Sequence, residues 1–332
     1  MKKMKKFLAF ALICGFGLTA VACGNGGSEG GDQTTEMKKV GVIQLAEHLA
    51  LDRAREGFIE GLSQEGFKEG ENLEVIVNNA QGDQSNLATI SQKFANDKPD
   101  LVCAIATPAA VSMASASPDI PVVGTAITDY VAAKLVKSNE APGGNVTGTS
   151  DMNPIEEQVD LMTKVLPEMK TLGLMRSSAE ENSRIQADII KKVCKEKGIE
   201  VVEMTVSSVN DIQQVAQDLV NKKVEAIYAP TDNIISSAMP NLIRVTNDAK
   251  IPVFCGEEAQ VEKGALITIG INYKALGVQT GKMAAKILKG EAKPAEMPIE
   301  TAEKYQVTIN DSASKLLGIT IPDELKKDAT IV

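Results

Sequence analysis

The chain has 332 residues, of which 43% are hydrophobic and only 3% aromatic with no Trp, and its formal net charge is −9. That length exceeds the usual size of one core, so two domains are expected, built from the aliphatic strands and helices of a layered α/β protein. The acidic balance argues against a nucleic-acid partner.

The first 22 residues read as a targeting segment, because Lys2, Lys3, Lys5 and Lys6 stand before an apolar run from Phe7 to Val21. Its end, Leu18-Thr19-Ala20-Val21-Ala22-Cys23-Gly24, resembles the lipobox of bacterial lipoproteins, which implies cleavage before Cys23 and a lipid on that cysteine. Residues 23–36 continue as a Gly-rich flexible tether. Removing the leader takes away four lysines and no acids, so the charge moves from −9 to −13. Cys103, Cys194 and Cys255 lie in apolar or amphipathic stretches and are expected as buried thiols, neither bridged nor bound to metal. No later apolar run approaches the roughly 18 residues of a membrane span, so the anchor alone is expected to meet lipid.

Short β-branched runs then alternate with amphipathic stretches, the pattern of parallel sheets. Strands are predicted over Lys39 to Leu45, Leu73 to Asn78, Leu101 to Ala106 and Pro121 to Ala126, and helices over Leu51 to Glu65, Ser85 to Asn96 and Ala109 to Ala116. Pro142 to Ser150 carries too many Gly and Thr for a core helix and reads as an extended crossover, the first hinge strand. The order then repeats: strands at Thr171 to Met175, Glu200 to Val206, Ala226 to Ala229 and Pro252 to Cys255, with helices at Ser183 to Lys197, Asp211 to Lys222 and after Asn233. Ile120-Pro121-Val122-Val123-Gly124 parallels Ile251-Pro252-Val253-Phe254-Cys255-Gly256. Two related, doubly wound parallel-sheet domains follow. A strand from Ala265 to Gly270, a helix from Tyr273 to Leu288 and a strand from Tyr305 to Ile309 give second and third crossings. The expected lobes are therefore 37–149 with 272–307, and 150–271 with 308–332, joined by a three-segment hinge.

Several stretches together resemble one family: Glu47-His48-Leu49-Ala50-Leu51-Asp52, Asn79-Ala80-Gln81-Gly82-Asp83, Ala106-Thr107-Pro108-Ala109, Thr128-Asp129, Glu180-Glu181-Asn182-Ser183, Pro230-Thr231-Asp232-Asn233 and Gly270-Ile271-Asn272-Tyr273. The chain is similar to the tryptophan-binding-type substrate-binding lipoproteins of ABC importers, which have the type I periplasmic-binding fold. It departs from the family at Leu49 and Tyr130, where Pro is usual, and over Met175 to Ala179. The resemblance implies an aromatic amino acid such as Trp, Phe or Tyr as ligand, a permease and ATPase as partners, no cofactor, a monomer, and a place on the outer face of the cell membrane. A branched-chain amino acid, another small amide or amine solute, and a sensory receptor of the same fold stay open beside it.

Ligands of doubly wound sheets sit beyond the carboxyl ends of strands, where helix N-termini offer unpaired N–H groups. The candidate ligand-binding residues at such ends are Glu47, His48, Thr107, Thr125, Asp129, Ser178, Asn182, Ser183, Thr231, Asp232, Asn233 and Glu257. A zwitterion needs hydroxyls and N–H groups for its carboxylate and a carboxylate for its ammonium. Thr107, Ser178 and Ser183 suit the first task, and Asp232 with Glu47 or Glu257 the second. Asp232, Asn233, Asn182 and Ser183 equally suit helix caps. Tyr130, Tyr273 and Phe254 suit either stacking on a ring or core packing. Enzyme motifs are missing: no Gly-x-Gly-x-x-Gly follows a strand, no phosphate loop or Gly-x-Ser-x-Gly appears, and one His makes no His-rich metal centre.

Overall fold

The computed structural model describes residues 37–332; the expected leader, Cys23 and the tether lie outside the described residues. The first half runs β1 (Lys38–Gln44), α1 (Leu49–Gln64), β2 (Leu73–Asn79), α2 (Gln84–Asp97), β3 (Leu101–Ile105), α3 (Thr107–Ala116), β4 (Val122–Ile127) and β5 (Val146–Ser150). The second runs α4 (Ile155–Val165), β6 (Thr171–Ser177), α5 (Glu181–Glu196), β7 (Glu200–Val206), α6 (Ile212–Asn221), β8 (Ala226–Ala229), α7 (Asn233–Ser237), α8 (Met239–Asp248), β9 (Val253–Cys255), α9 (Glu258–Glu262) and β10 (Ile267–Ile271). The remainder is α10 (Tyr273–Leu288), β11 (Glu300–Thr301), β12 (Tyr305–Ile309), α11 (Asp311–Leu317), α12 (Asp323–Lys326) and β13 (Thr330–Ile331).

These strands form two sheets, one ordered β11-β5-β4-β3-β1-β2 and one ordered β13-β12-β10-β9-β8-β6-β7. The first is parallel throughout, and β12 runs antiparallel to β10 in the second. Strand β3, Leu-Val-Cys-Ala-Ile, is buried at every residue, as a strand covered by helices on both faces must be. In the second sheet the alternation separates two cores: Leu174 and Tyr228 join one, Met175 and Ile227 the other. Each sheet with the helices packed on it is called a lobe below.

Three details differ from the sequence expectation. Val146–Ser150, inside the stretch expected as an extended crossover, is extended but also paired and buried in the first sheet, because its hydroxyls find partners inside: Thr147 Oγ1 donates to the Met297 carbonyl at 2.9 Å, and Thr149 Oγ1 lies 2.8 Å from Thr280 Oγ1. The chain changes sheets at residues 151–154, at 272 and at 302–304; the last change precedes 307 because Tyr305 to Val307 already pair with Ile271 to Ile269. The helix after Asn233 is two helices, since Pro240 fits only the first turn of a new one.

Helices α1 and α10 meet at backbone distance. A Cβ on Gly57 would lie 2.1 Å from the Lys274 carbonyl oxygen, and one on Gly277 would lie 2.2 Å from that of Ala54. Gly61 and Gly281 are equally tight, each 2.3 Å from a backbone oxygen. This seam fixes α10, which begins one residue after the crossing at 272, to the first lobe.

Candidate ligand cleft

The carboxyl ends of both sheets face one gap. His48 and Leu51 reach it from the β1–α1 turn, Ala126 and Thr128 from the end of β4, and Asp151 from the first crossing. Across it stand Asn182 of α5, Thr231 and Asp232 after β8, Asn233 and Ser236 of α7, and Glu257 after β9, with Tyr273 of α10 at the floor. The backbone is strained here: Ala106 at the end of β3 has φ 85° and Ala126 has φ 56°, values that disfavour any residue with a Cβ. The space enclosed by these groups is about 10 Å³, room for one water at most. Two larger cavities flank it between the lobes, of about 360 Å³ and 380 Å³, both reached by Glu47 and Ser237.

Three buried carboxyl groups line the gap, with relative exposures of 3% for Asp151, 1% for Asp232 and 2% for Glu257, and a fourth, Glu180 at 4%, stands beside it against Asn182 and Asn233, facing the 380 Å³ cavity. Asp151 accepts from Tyr273 Oη at 2.6 Å and from Thr128 Oγ1 at 3.1 Å. Glu180 Oε2 accepts from Asn233 Nδ2 at 2.5 Å, Asn182 Nδ2 at 3.1 Å and the Asn233 N–H at 3.3 Å. Asp232 accepts from the Ser177 N–H at 2.5 Å, Ser183 Oγ at 2.7 Å and the Ile235 N–H at 3.0 Å. Glu257 accepts from Ser236 Oγ at 2.8 Å.

No Lys or Arg lines the enclosed gap. Burial, and then the neighbouring Asp232, push Glu180 up to about 8 against the hydrogen bonds from Asn233 and Asn182. Burial likewise pushes Glu257 up to about 8, with Asp151 adding to the effect. Asp151 and Asp232 are raised by burial too, although their hydrogen bonds oppose the shift. His48 does not supply the missing cation: burial of its ring holds the imidazole below its ordinary 6.5. Its Nε2 lies 3.1 Å from Asn233 Oδ1 across the gap, while Nδ1 and the nearby Asn182 Oδ1 are enclosed with no partner.

Of the residues expected from sequence, His48, Asn182, Thr231, Asp232, Asn233 and Glu257 come together around the gap. Ser183 stands behind them as a donor to Asp232, and Glu47 is exposed at the mouth. Thr125 turns into the core, where it accepts from Thr149 Oγ1 at 3.4 Å. Asp129 closes a turn, accepting from the N–H groups of Val131 and Ala132 at 3.0 and 2.9 Å. Ser178 is exposed and donates to the Val206 carbonyl. Thr107 is buried at the start of α3 with no partner for its hydroxyl and does not reach the enclosed gap. Tyr130 and Phe254 are core residues, whereas Tyr273 faces the gap. Asp151, which lines the gap, and Glu180, which holds Asn182 and Asn233 beside it, are not among the site residues expected from sequence; Glu180 belongs to a quoted motif, and Asp151 directly follows the Thr-rich strand.

Paired, mostly parallel sheets whose strand ends close on one acid-lined gap, with three chain crossings beside it, define a two-lobed ligand-binding protein of the type I periplasmic-binding fold. Residues 39–332 match the family model for ABC transporter substrate binding proteins, and the chain belongs to that family. It is 38% identical over 326 residues to a tyrosine-binding protein of Clostridioides difficile (strain R20291), covering 96% of this chain and 94% of that one. The solved ABC domain from Streptococcus pneumonia in complex with L-Trp is 40% identical, with a TM-score of 0.86 over 90% of this chain and 100% of that one. A ligand-free, open substrate-binding protein with adhesive properties from Clostridium difficile is 42% identical and covers 89% of this chain and 99% of its own, with a TM-score of 0.69. At nearly equal identity the L-Trp complex superposes better than the open form, in keeping with the narrow gap between the lobes.

Proposed function

We propose that this substrate-binding protein captures an aromatic L-amino acid, tyrosine or tryptophan first, outside the cytoplasm and presents it to an ABC permease. The observation that carries the reading is the set of buried carboxyl groups without a fixed countercharge, Asp151, Asp232 and Glu257 lining the gap and Glu180 beside it. A ligand ammonium supplies the charge the gap lacks, and charge-assisted bonds to a buried carboxylate are worth about 1.5–3 kcal/mol each. The named ligands of the relatives, tyrosine and L-Trp, are amino acids that bring such a group.

Among the acids, Glu257 is the best ammonium partner, because it lines the gap, accepts from Ser236 Oγ alone and is held protonated for want of a cation; Glu180, equally raised, is second because its carboxyl already accepts from Asn182 and Asn233. Asp232 already accepts three bonds from its own lobe and caps α7. Of the hydroxyls expected for the ligand carboxylate, Ser183 is spent on Asp232, and Thr107, though unpaired, stands off the enclosed gap. The gap admits an amino acid only when the lobes part, so capture proceeds by opening at the three crossings and closure around the ligand. Among the described residues no helix is long and apolar enough to cross a membrane; a lipid on Cys23 provides the attachment.

Calorimetry with the twenty amino acids, alongside mass spectrometry of small molecules released from the denatured protein, tests this. Micromolar or tighter binding of tyrosine or tryptophan is expected; saturable binding of a sugar or an anion with no response to any amino acid sinks the reading.

A further inference from the structure

Beyond the gap, one ion-pair cluster ties the two lobes together. Arg53 projects from α1 of the first lobe onto α9 of the second. Its Nη1 donates to Glu262 Oε1 at 2.6 Å and Glu258 Oε1 at 3.1 Å, and its Nη2 donates to Glu262 Oε2 at 3.0 Å. Every other ion pair between described residues stays within one lobe.

We propose that Arg53, gripping Glu262 and Glu258, is a clasp that holds the lobes shut and so sets how long a ligand stays bound, without touching the ligand. The inference rests on the proposed capture function. None of the three side chains lines the enclosed gap. The guanidinium is 27% exposed and its partners 15% and 27%, so the contact is only partly screened by solvent. The two-pronged grip on Glu262 fits the planar fork of arginine and not the point charge of lysine.

Each end of the clasp is rigidly mounted. Arg53 lies on the helix that the glycine seam locks to α10, so it cannot follow α9 when the lobes separate. Glu258 is the neighbour in sequence of Glu257, whose carboxyl faces the gap. Opening the cleft around Glu257 therefore breaks the clasp in the same movement. A contact made only in the shut form adds to the apparent affinity for whatever that form encloses, by the same factor for every ligand. It acts on dissociation, because the pairs form after the ligand has entered.

The test uses Arg53→Ala, Arg53→Lys and Glu262→Gln in the full mature chain, with stopped-flow kinetics for each amino acid that the wild type binds. Dissociation from Arg53→Ala is expected about three- to tenfold faster, with association nearly unchanged and the ranking of ligands preserved. Arg53→Lys recovers only part of the loss, and adding Glu262→Gln to Arg53→Ala costs little more. Raising the salt speeds release from the wild type and leaves Arg53→Ala nearly unaffected. Unchanged dissociation, or a loss confined to one ligand, overturns the clasp. Should the wild type bind no amino acid, solution scattering of the ligand-free proteins still decides: Arg53→Ala must be the more expanded, and an identical profile overturns the proposal.

Discussion

The Tyr273 hydroxyl donates to Asp151 over 2.6 Å, and the bond joins two of the three places where the chain changes sheets. Asp151 is the first residue beyond β5, and Tyr273 follows the crossing at 272. Both are buried, and Tyr273 is anchored through α10 to the glycine seam. One hydrogen bond thus fixes the spacing of the hinge segments at the floor of the cleft.

Tyr273→Phe keeps the ring and removes the donor. Asp151 then retains only Thr128 as a side-chain donor, and loss of one bond to a buried carboxyl costs about 1–3 kcal/mol. A melting temperature lower by a few degrees is expected, together with weaker amino-acid binding, since the hinge segments are no longer pinned. Thermal melts and calorimetry on the one variant read both effects; a variant that melts and binds as the wild type does would show the bond to be incidental.

The acid cluster gives the ligand-free protein a definite response to pH. Glu180 and Glu257 hold protons up to about 8, whereas the unfolded chain releases them near the ordinary 4.5. The folded state therefore binds more protons across that window, and stability falls as pH rises through it. Asp151 and Asp232 act in the same direction; His48, lowered from 6.5, acts in the opposite one. A ligand ammonium lets the glutamates ionise, so binding near pH 7 releases protons, up to about one per carboxyl. Calorimetry in buffers of different ionisation enthalpy measures the number, and proton uptake would contradict the assignment.

Much of this architecture is legible in the chain. The β-branched runs from Lys39 to Cys255 alternate with amphipathic stretches, and the helix Tyr273 to Leu288 and the strand Tyr305 to Ile309 have the expected ends. Pro142 to Ser150 is legible as extended chain leading to the first crossing, but the pairing of Val146–Ser150 inside the first sheet is not, because the partners of Thr147 and Thr149 lie far away in sequence. The site is legible where a polar residue follows a strand, as at Asp232 and Glu257. Position alone does not tell which way such a residue turns: Thr125 enters the core, Asp129 closes a turn, and Asp151 faces the gap. That choice belongs to tertiary contacts far away in sequence, and so does the shift of the acids, which comes chiefly from the burial of each one.

The seam between α1 and α10 predicts where the first lobe is least tolerant. Gly277→Ala places a Cβ where the Ala54 carbonyl oxygen already sits, 2.2 Å away, and no side chain can move to relieve it. The helices must separate, at an expected cost of about 3 kcal/mol or more. Gly144, with nothing within 4 Å, is the control: Gly144→Ala should leave the denaturation midpoint within error. Equal midpoints for the two variants would mean that the helix pair tolerates a wider spacing.

Glu257→Gln in the gap and Glu180→Gln beside it separate charge from shape. Each replaces a carboxyl held neutral by burial with a neutral group of the same size, so the ligand-free fold should be as stable as the wild type, with a flatter pH dependence. The bound ligand loses a charge-assisted partner, and affinity for an amino acid is expected to drop about tenfold or more at whichever glutamate meets the ammonium. Thr125→Val, a change in the core away from the gap, should leave affinity unchanged. If both glutamine variants bind at wild-type strength, the ammonium sits elsewhere and Asp232 becomes the next candidate. Asp232→Asn would then need its stability measured as well, because the same carboxylate caps α7 through the Ile235 N–H.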